Sequence, residues 1–217
     1  MNQEQLDYSE RVNTGTSWTR NEFLDEHGYL VVKNLYDPQK LYHPVPEERG
    51  QINYFGSVDR FHHEPEEQQV NGSIARYSHP QYKEAHSQIR LRIEKQIGRK
   101  LYNTYYYDRF YFPGQELTKH TDRDACEISV TVHVSTNLKE CWPIWIKTVH
   151  GEERAVCLEP GDGMIYKGCE RPHWREPMPS AKKRWFRKQE ELYYHQIFFH
   201  YVLQDGIRSH CAFDAAR

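Results

Sequence analysis

Nowhere in this 217-residue sequence do eighteen apolar residues run together, which excludes a helical membrane span. A charge excess of either sign is also missing. The 29 basic and 31 acidic residues leave a formal net charge of -2, which argues against an electrostatically driven nucleic-acid or membrane partner. Cysteine is scarce and irregular: Cys126, Cys141, Cys157, Cys169 and Cys211 are an odd number with no CxxC pair. That spacing argues against a disulfide framework or a zinc knuckle, and for reduced thiols in a cytoplasmic protein. The N-terminal stretch MNQEQLDYSERVNTG has no apolar core, so no secretory leader is expected. Apolar residues make up only 37%, yet 16 Tyr and 5 Trp add core area, so a globular chain with polar loops fits better than disorder. The length suits one domain over residues 1–217.

The order of patterns points to an α+β fold. Residues 1–16 read as a flexible lead-in. Trp18, Phe23 and Leu24 can share a helical face that Gly28 would end. Tyr29 to Val32 reads as a strand, and Asp37-Pro38 as a helix start. Four prolines, several glycines and the polar run Glu64-Pro-Glu-Glu-Gln-Gln69 mark residues 43–80 as loop and lid. Ile89, Ile93 and Ile97 then form one helical stripe before Gly98. From residue 101 onward the pattern is strand-like: 101–107, 127–134, 142–147, 155–158, 164–166 and 193–202, separated by Gly, Pro and Asp turn signals. In the second of these, Ile128, Val130, Val132 and Val134 face one way, and Ser129, Thr131 and His133 face the other, where they can line a cavity.

His120, Asp122 and His173 carry the chemistry. A histidine and a carboxylate two apart share a face in extended chain, and a later histidine can close a 2-His-1-carboxylate set. Three such ligands on one face of an octahedral Fe(II) leave the opposite positions open for a co-substrate and dioxygen. The chain has thirteen histidines, so HxD alone is cheap; its flanks make it specific.

Tyr111-Phe-Pro-Gly-Gln-Glu-Leu-Thr-Lys-His-Thr-Asp122 resembles the YxPGxxLxxHxD stretch of 2-oxoglutarate/Fe(II)-dependent dioxygenases, especially their prolyl-4-hydroxylase-like branch. Leu158-Glu-Pro-Gly-Asp-Gly-Met-Ile-Tyr166 is similar to the turn and strand before that family's distal histidine, and Phe23 to Leu35 to its leading helix and strand. The resemblance spans residues 18–202, with 43–80 and 178–192 unmatched. It implies a double-stranded β-helix, a jelly-roll or cupin-like barrel, supported by N-terminal helices. It implies Fe(II) held by His120, Asp122 and His173, with 2-oxoglutarate and O2 as co-substrates, ascorbate in support, and Tyr111 touching 2-oxoglutarate. It further implies decarboxylation to succinate coupled to hydroxylation of a peptidyl proline, an amino acid or a small metabolite. Position for position, the family's basic anchor for the far carboxylate would fall on His195 or Gln196, where neither Arg nor Lys stands. Arg175, on the strand face of His173, and Arg184, in a basic run, are the two candidates, because a guanidinium fork grips a carboxylate well.

Other readings stand beside these. A cupin-like metal enzyme without 2-oxoglutarate would carry an HxH-type pair where Asp122 stands, and a non-catalytic jelly-roll module needs no complete ligand set. His133 reads as a satisfied interior histidine, and His62-His63 as part of a solvated loop. Cys126 reads as a small buried hydrophobe. Trp142, Trp145 and Tyr105–Tyr107 read as core and lining residues. The run 182–188 reads as a solvated loop or lid rather than a nucleic-acid contact.

Overall fold

The computed structural model describes residues 20–180 and 191–214. Helix α1, Arg20–His27, buries Phe23 and Leu24 as the spacing predicts, while Trp18 lies outside the described residues. Strand β1 is Tyr29–Val32. Helix α2, Pro38–Leu41, starts at the predicted Asp37-Pro38, where the Asp37 carboxylate accepts the Gln39 N–H at 3.0 Å.

Residues 43–80 depart from the loop expectation and carry three short strands: β2 (Gly50–Tyr54), β3 (Phe61–Glu64) and β4 (Ile74–Tyr77). Helix α3, Lys83–Ile97, ends at Gly98, whose φ of 67° is the left-handed cap that glycine adopts without strain. It is followed by β5 (Leu101–Tyr111), β6 (Leu117–His120), β7 (Ile128–Thr136), β8 (Ile144–Lys147), β9 (Glu153–Val156), β10 (Gly163–Tyr166), β11 (His173–Arg175) and β12 (Tyr194–Leu203). The three early strands went unread because β2 and β3 show no apolar alternation; β3 is exposed or half-buried throughout. Partners make them strands: β4 pairs antiparallel with β5, and β2 runs parallel to β4.

An eight-stranded sheet has the order β1-β10-β7-β12-β5-β4-β2-β3, and a four-stranded sheet the order β6-β11-β8-β9. Between them, Tyr29, Val31, Met164 and Tyr166 of the large sheet cluster with Ile144, Ile146 and Val156 of the small one. On the outer face, Ile89, Ile93 and Ile97 of α3 pack with Val130, Val132 and Phe199, and all six are buried. Each such side chain contributes about 1.5–3 kcal/mol. The predicted alternation of β7 holds, and its polar face, Ser129, Thr131 and His133, is turned inward and buried. His133 is satisfied at Nδ1 by the Leu158 carbonyl (2.7 Å) and stacks on Tyr194 at 4.3 Å.

One expectation is overturned. Cys141 and Cys157 form a disulfide, with Cα atoms 5.9 Å apart. They flank the β8–β9 hairpin, whose register pairs Ile144 with Val156 and so brings the two thiols together. No local spacing pattern records that pairing. Cys126, Cys169 and Cys211 are free, and the reduced-thiol argument for a cytoplasmic location loses its basis. Among the described residues no helix is long and apolar enough to cross a membrane.

Outside the inter-sheet space lies a buried polar knot. The Asp108 carboxylate accepts Arg76 Nε at 3.0 Å and the Tyr82 hydroxyl at 2.9 Å, and lies 2.9 Å from His195 Nε2. Burial alone would raise the Asp108 carboxyl, but Arg76 and His195 beside it hold it below the ordinary range. Burial also lowers several interior histidines, among them His86 to about 3 and His79, His133 and His200 to about 4. These lowered values fix the sign of the pH dependence. Below pH about 6.5 the unfolded chain takes up histidine protons that the folded chain refuses, at about 1.4 kcal/mol for each unit of difference. We therefore expect urea midpoints to fall steadily from pH 7.5 to pH 4.5, with Asp108 adding loss below the ordinary carboxylate range. A flat profile over that interval would contradict this account.

Candidate active site

The pairing of β6 with β11 sets His120 directly opposite His173, with ring centroids 4.4 Å apart. Asp122 lies just beyond the end of β6, its N–H donated to the Gly168 carbonyl at 2.9 Å. The Asp122 Oδ1 is 3.5 Å from Nε2 of each imidazole. All three sequence-predicted ligands are thus brought together, with their candidate ligand atoms within 4.8 Å of one another.

Proton positions follow from the partners. His120 Nδ1 is 2.7 Å from the Thr118 carbonyl, and His173 Nδ1 is 3.0 Å from the Arg171 carbonyl. A carbonyl only accepts, so each Nδ1 carries the hydrogen and each Nε2 presents a lone pair. Two lone pairs and one carboxylate oxygen converge, which is an electron-rich set suited to a divalent cation. Burial would raise the Asp122 carboxyl, but the two imidazoles facing it outweigh that and hold it well below its usual range.

The other Asp122 oxygen is tied back. Its Oδ2 accepts the Ser129 hydroxyl at 2.8 Å, and Ser129 Oγ lies 3.0 Å from His200 Nδ1. This leaves Oδ1 as the free donor and favours one-oxygen ligation. Gly168 makes the arrangement possible, because a Cβ there would stand 2.4 Å from Asp122 Oδ2 and 2.5 Å from both Ser129 Oγ and the Cys126 carbonyl. The His173 side chain is 2% exposed and that of His120 25%, so the set opens on the His120 side. It faces a cavity of about 600 Å³ lined by Gln69, Tyr105, Tyr107, Cys126 and His200 among others, a size suited to a small-molecule site.

No protein-family model matches the sequence, and no curated protein does. Solved structures do match. A prolyl-4-hydroxylase from Pseudomonas putida aligns over 82% of this chain and 94% of its own, at 16% identity and TM-score 0.52. An oxidoreductase of the 2OG-Fe(II) oxygenase family from Burkholderia pseudomallei covers 84% and 88%, at 10% identity and TM-score 0.57. A Trichoplax adhaerens prolyl hydroxylase, solved with a peptide fragment of the hypoxia inducible factor oxygen degradation domain, covers 92% and 94%, at 12% identity and TM-score 0.54. The chain has the fold of the 2OG-Fe(II) oxygenases.

Within this oxygenase fold, two sequence-predicted residues lie between the sheets. Tyr111 is fully buried, edge-on to Trp142 at 5.1 Å. Arg175 is 1% exposed; it donates to the Trp142 carbonyl at 2.6 Å and to Gln196 Oε1 at 2.5 Å. Trp142 and Tyr194, set edge to face with each other, flank its guanidinium, each ring centroid 4.5 Å away. Among the described residues no carboxylate pairs with Arg175, and its Nε has no partner. Arg184 lies outside the described residues, as does the run 182–188. His62 and His63 sit on solvent-facing β3, with His63 Nε2 2.8 Å from the Arg49 carbonyl. Cys126 is buried, but its sulfur lies 3.2 Å from the Tyr105 hydroxyl and it lines the cavity, so it is more than core filler.

Sequence reading missed Arg109, fully buried on the inward face of β5, together with its partner Glu67 and with Gln69. The alternation Tyr105, Tyr107, Arg109, Tyr111 was the available signal: a strand interior that interleaves arginine with tyrosines on one face lines a polar interior. Gly168→Ala is expected to lower stability by about 1–3 kcal/mol, since overpacking forces Asp122, Ser129 or the backbone aside. Urea denaturation measures this, and an unchanged midpoint would mean that the cradle yields freely.

Proposed function

We propose that the chain is an Fe(II)- and 2-oxoglutarate-dependent dioxygenase built on a double-stranded β-helix, hydroxylating a small-molecule or peptide substrate. One observation carries the reading: the lone pairs of His120 and His173 and the free oxygen of Asp122 converge with no hydrogen-bond donor of their own between them. His120, Asp122 and His173 would hold the metal. Bound there, Fe(II) with 2-oxoglutarate supplies dioxygen activation, with succinate and carbon dioxide as by-products of substrate hydroxylation.

The chain's own residues then have definite tasks. Ser129 keeps the second Asp122 oxygen occupied, so the carboxylate would offer a metal its other oxygen. The Thr118 and Arg171 carbonyls hold the imidazoles in the ligating tautomer. Arg175 supplies the charge that the far carboxylate of 2-oxoglutarate requires. A buried guanidinium among neutral partners is costly unless an anion joins it, and β11 carries it about 7 Å beyond His173, at roughly 3.3 Å per residue. Tyr111 walls the same region. The closed inner side, with His173 and Arg175 buried, keeps water from the far carboxylate of the co-substrate, while the open His120 side leaves room for its metal-bound end and for the substrate. A cupin-like enzyme without 2-oxoglutarate, or a binding module, has no need of an interior arginine that no described carboxylate pairs.

Anaerobic Mn(II) and 2-oxoglutarate titrations test the reading. His120→Ala and Asp122→Ala should abolish Mn(II) binding and succinate formation. Arg175→Met should retain Mn(II) yet weaken 2-oxoglutarate at least about 100-fold, as expected for loss of a buried charged partner. Because it deletes an unpaired buried charge, the same variant should be no less stable than the parent. Failure of the parent protein to bind 2-oxoglutarate with metal present would sink the proposal.

A further inference from the structure

The segment between β3 and β4 enters the site. Glu67 is 3% exposed and its Oε1 accepts Arg109 Nη2 at 2.8 Å, while its other oxygen takes the Val70 N–H. Val70 packs against Tyr111, Leu117 and Trp142 in the inter-sheet core. Farther along, Gln115 Nε2 donates to the Asn71 carbonyl at 3.0 Å. A polar run that reads from sequence as solvated loop is therefore pinned at several points, one of them a buried ion pair.

Gln69 lies between those pins. Arg109 Nη1 donates to its Oε1 at 2.9 Å, and its Nε2 lies 3.3 Å from His120 Nε2. The guanidinium only donates, so it fixes the carboxamide with oxygen toward Arg109 and the NH2 toward His120. That NH2 meets the lone pair of a proposed metal ligand, on the side of the set that opens to the cavity. A cation taking that lone pair displaces the hydrogen bond to His120 but leaves Arg109's hold on the amide. The NH2 donor then remains beside whatever oxygen ligand occupies the open side.

We infer that Gln69 is a further site residue, donating a hydrogen bond to an oxygen of the metal-bound co-substrate, and that the Glu67–Arg109 pair sets its orientation. The inference rests on the dioxygenase reading and adds to it a role for the segment at residues 67–70. Arg109 differs in kind from Arg175: its charge is matched by Glu67, so its part is to hold Gln69 rather than to bind an anion.

The test separates metal from co-substrate affinity. Mn(II) binding would be followed by the paramagnetic resonance of free Mn(II), and 2-oxoglutarate binding by calorimetry on the Mn(II)-loaded, oxygen-free protein. Gln69→Ala, at an exposed position, should bind Mn(II) as tightly as the parent or more so, because a competitor for the His120 lone pair is gone. Its 2-oxoglutarate affinity should fall about 10- to 100-fold, the range for a hydrogen bond to a charged group. Glu67→Gln should shift 2-oxoglutarate affinity the same way without weakening Mn(II), and Glu66→Gln, on the same segment but exposed, should change neither. Equal 2-oxoglutarate affinity in Gln69→Ala and parent would overturn this inference while leaving the dioxygenase reading intact. Loss of Mn(II) affinity in Gln69→Ala would also overturn it, by making Gln69 a support of the metal site. A parent protein that binds Mn(II) but no 2-oxoglutarate would remove both.

Discussion

The antiparallel pairing of β6 with β11 is the constraint on which the rest of the site depends. It sets His120 and His173 opposite one another on adjacent strands, although they are 53 positions apart in the sequence. Once that register holds, the chain beyond β6 has little freedom. The Asp122 N–H bonds to Gly168, its carboxylate turns toward both imidazoles, and Ser129 from the opposite sheet takes the spare oxygen. The two sheets are thereby joined by a polar contact at the point where chemistry would occur, whereas hydrophobic packing joins them elsewhere.

Three interior arginines show how the molecule uses buried charge. Arg76 is matched by Asp108 on the outer face of the large sheet, and Arg109 is matched by Glu67 between the sheets. Arg175 has carbonyl, carboxamide and aromatic neighbours but no described carboxylate. Burying an ion is tolerable when a counter-ion accompanies it and expensive when none does. The first two pairs bind elements of the fold together. The third is matched by no carboxylate among the described residues, which is why it is the one proposed to hold the anion.

Much of this was legible from local pattern. The stripe Ile89, Ile93, Ile97 and the alternation through β7 announced their elements because burial imposes a period on sequence. The grouping of His120, Asp122 and His173 was legible because HxD on extended chain, with the Tyr111–Gly114 lead and the Pro160–Gly163 turn, is a rare combination. The strands at 50–54, 61–64 and 74–77 were not. β3 has little buried surface, so no period marks it, and hydrogen bonding to neighbours creates it. Cys141 and Cys157 were misread for a related reason: their proximity is a property of the β8–β9 register rather than of spacing.

By itself, the sequence determined the fold class, the place of the two longer helices and of most later strands, and the residue types able to hold a metal, since each depends on periodicity or on neighbours within a few positions. Only the tertiary structure decided which tautomer each imidazole adopts, which Asp122 oxygen is free, and that Arg109 has a counter-charge while Arg175 has none among the described residues. It alone brought Gln69 to His120. Those facts depend on contacts between residues tens of positions apart, and strand register, which is set by the packing of the whole, governs them.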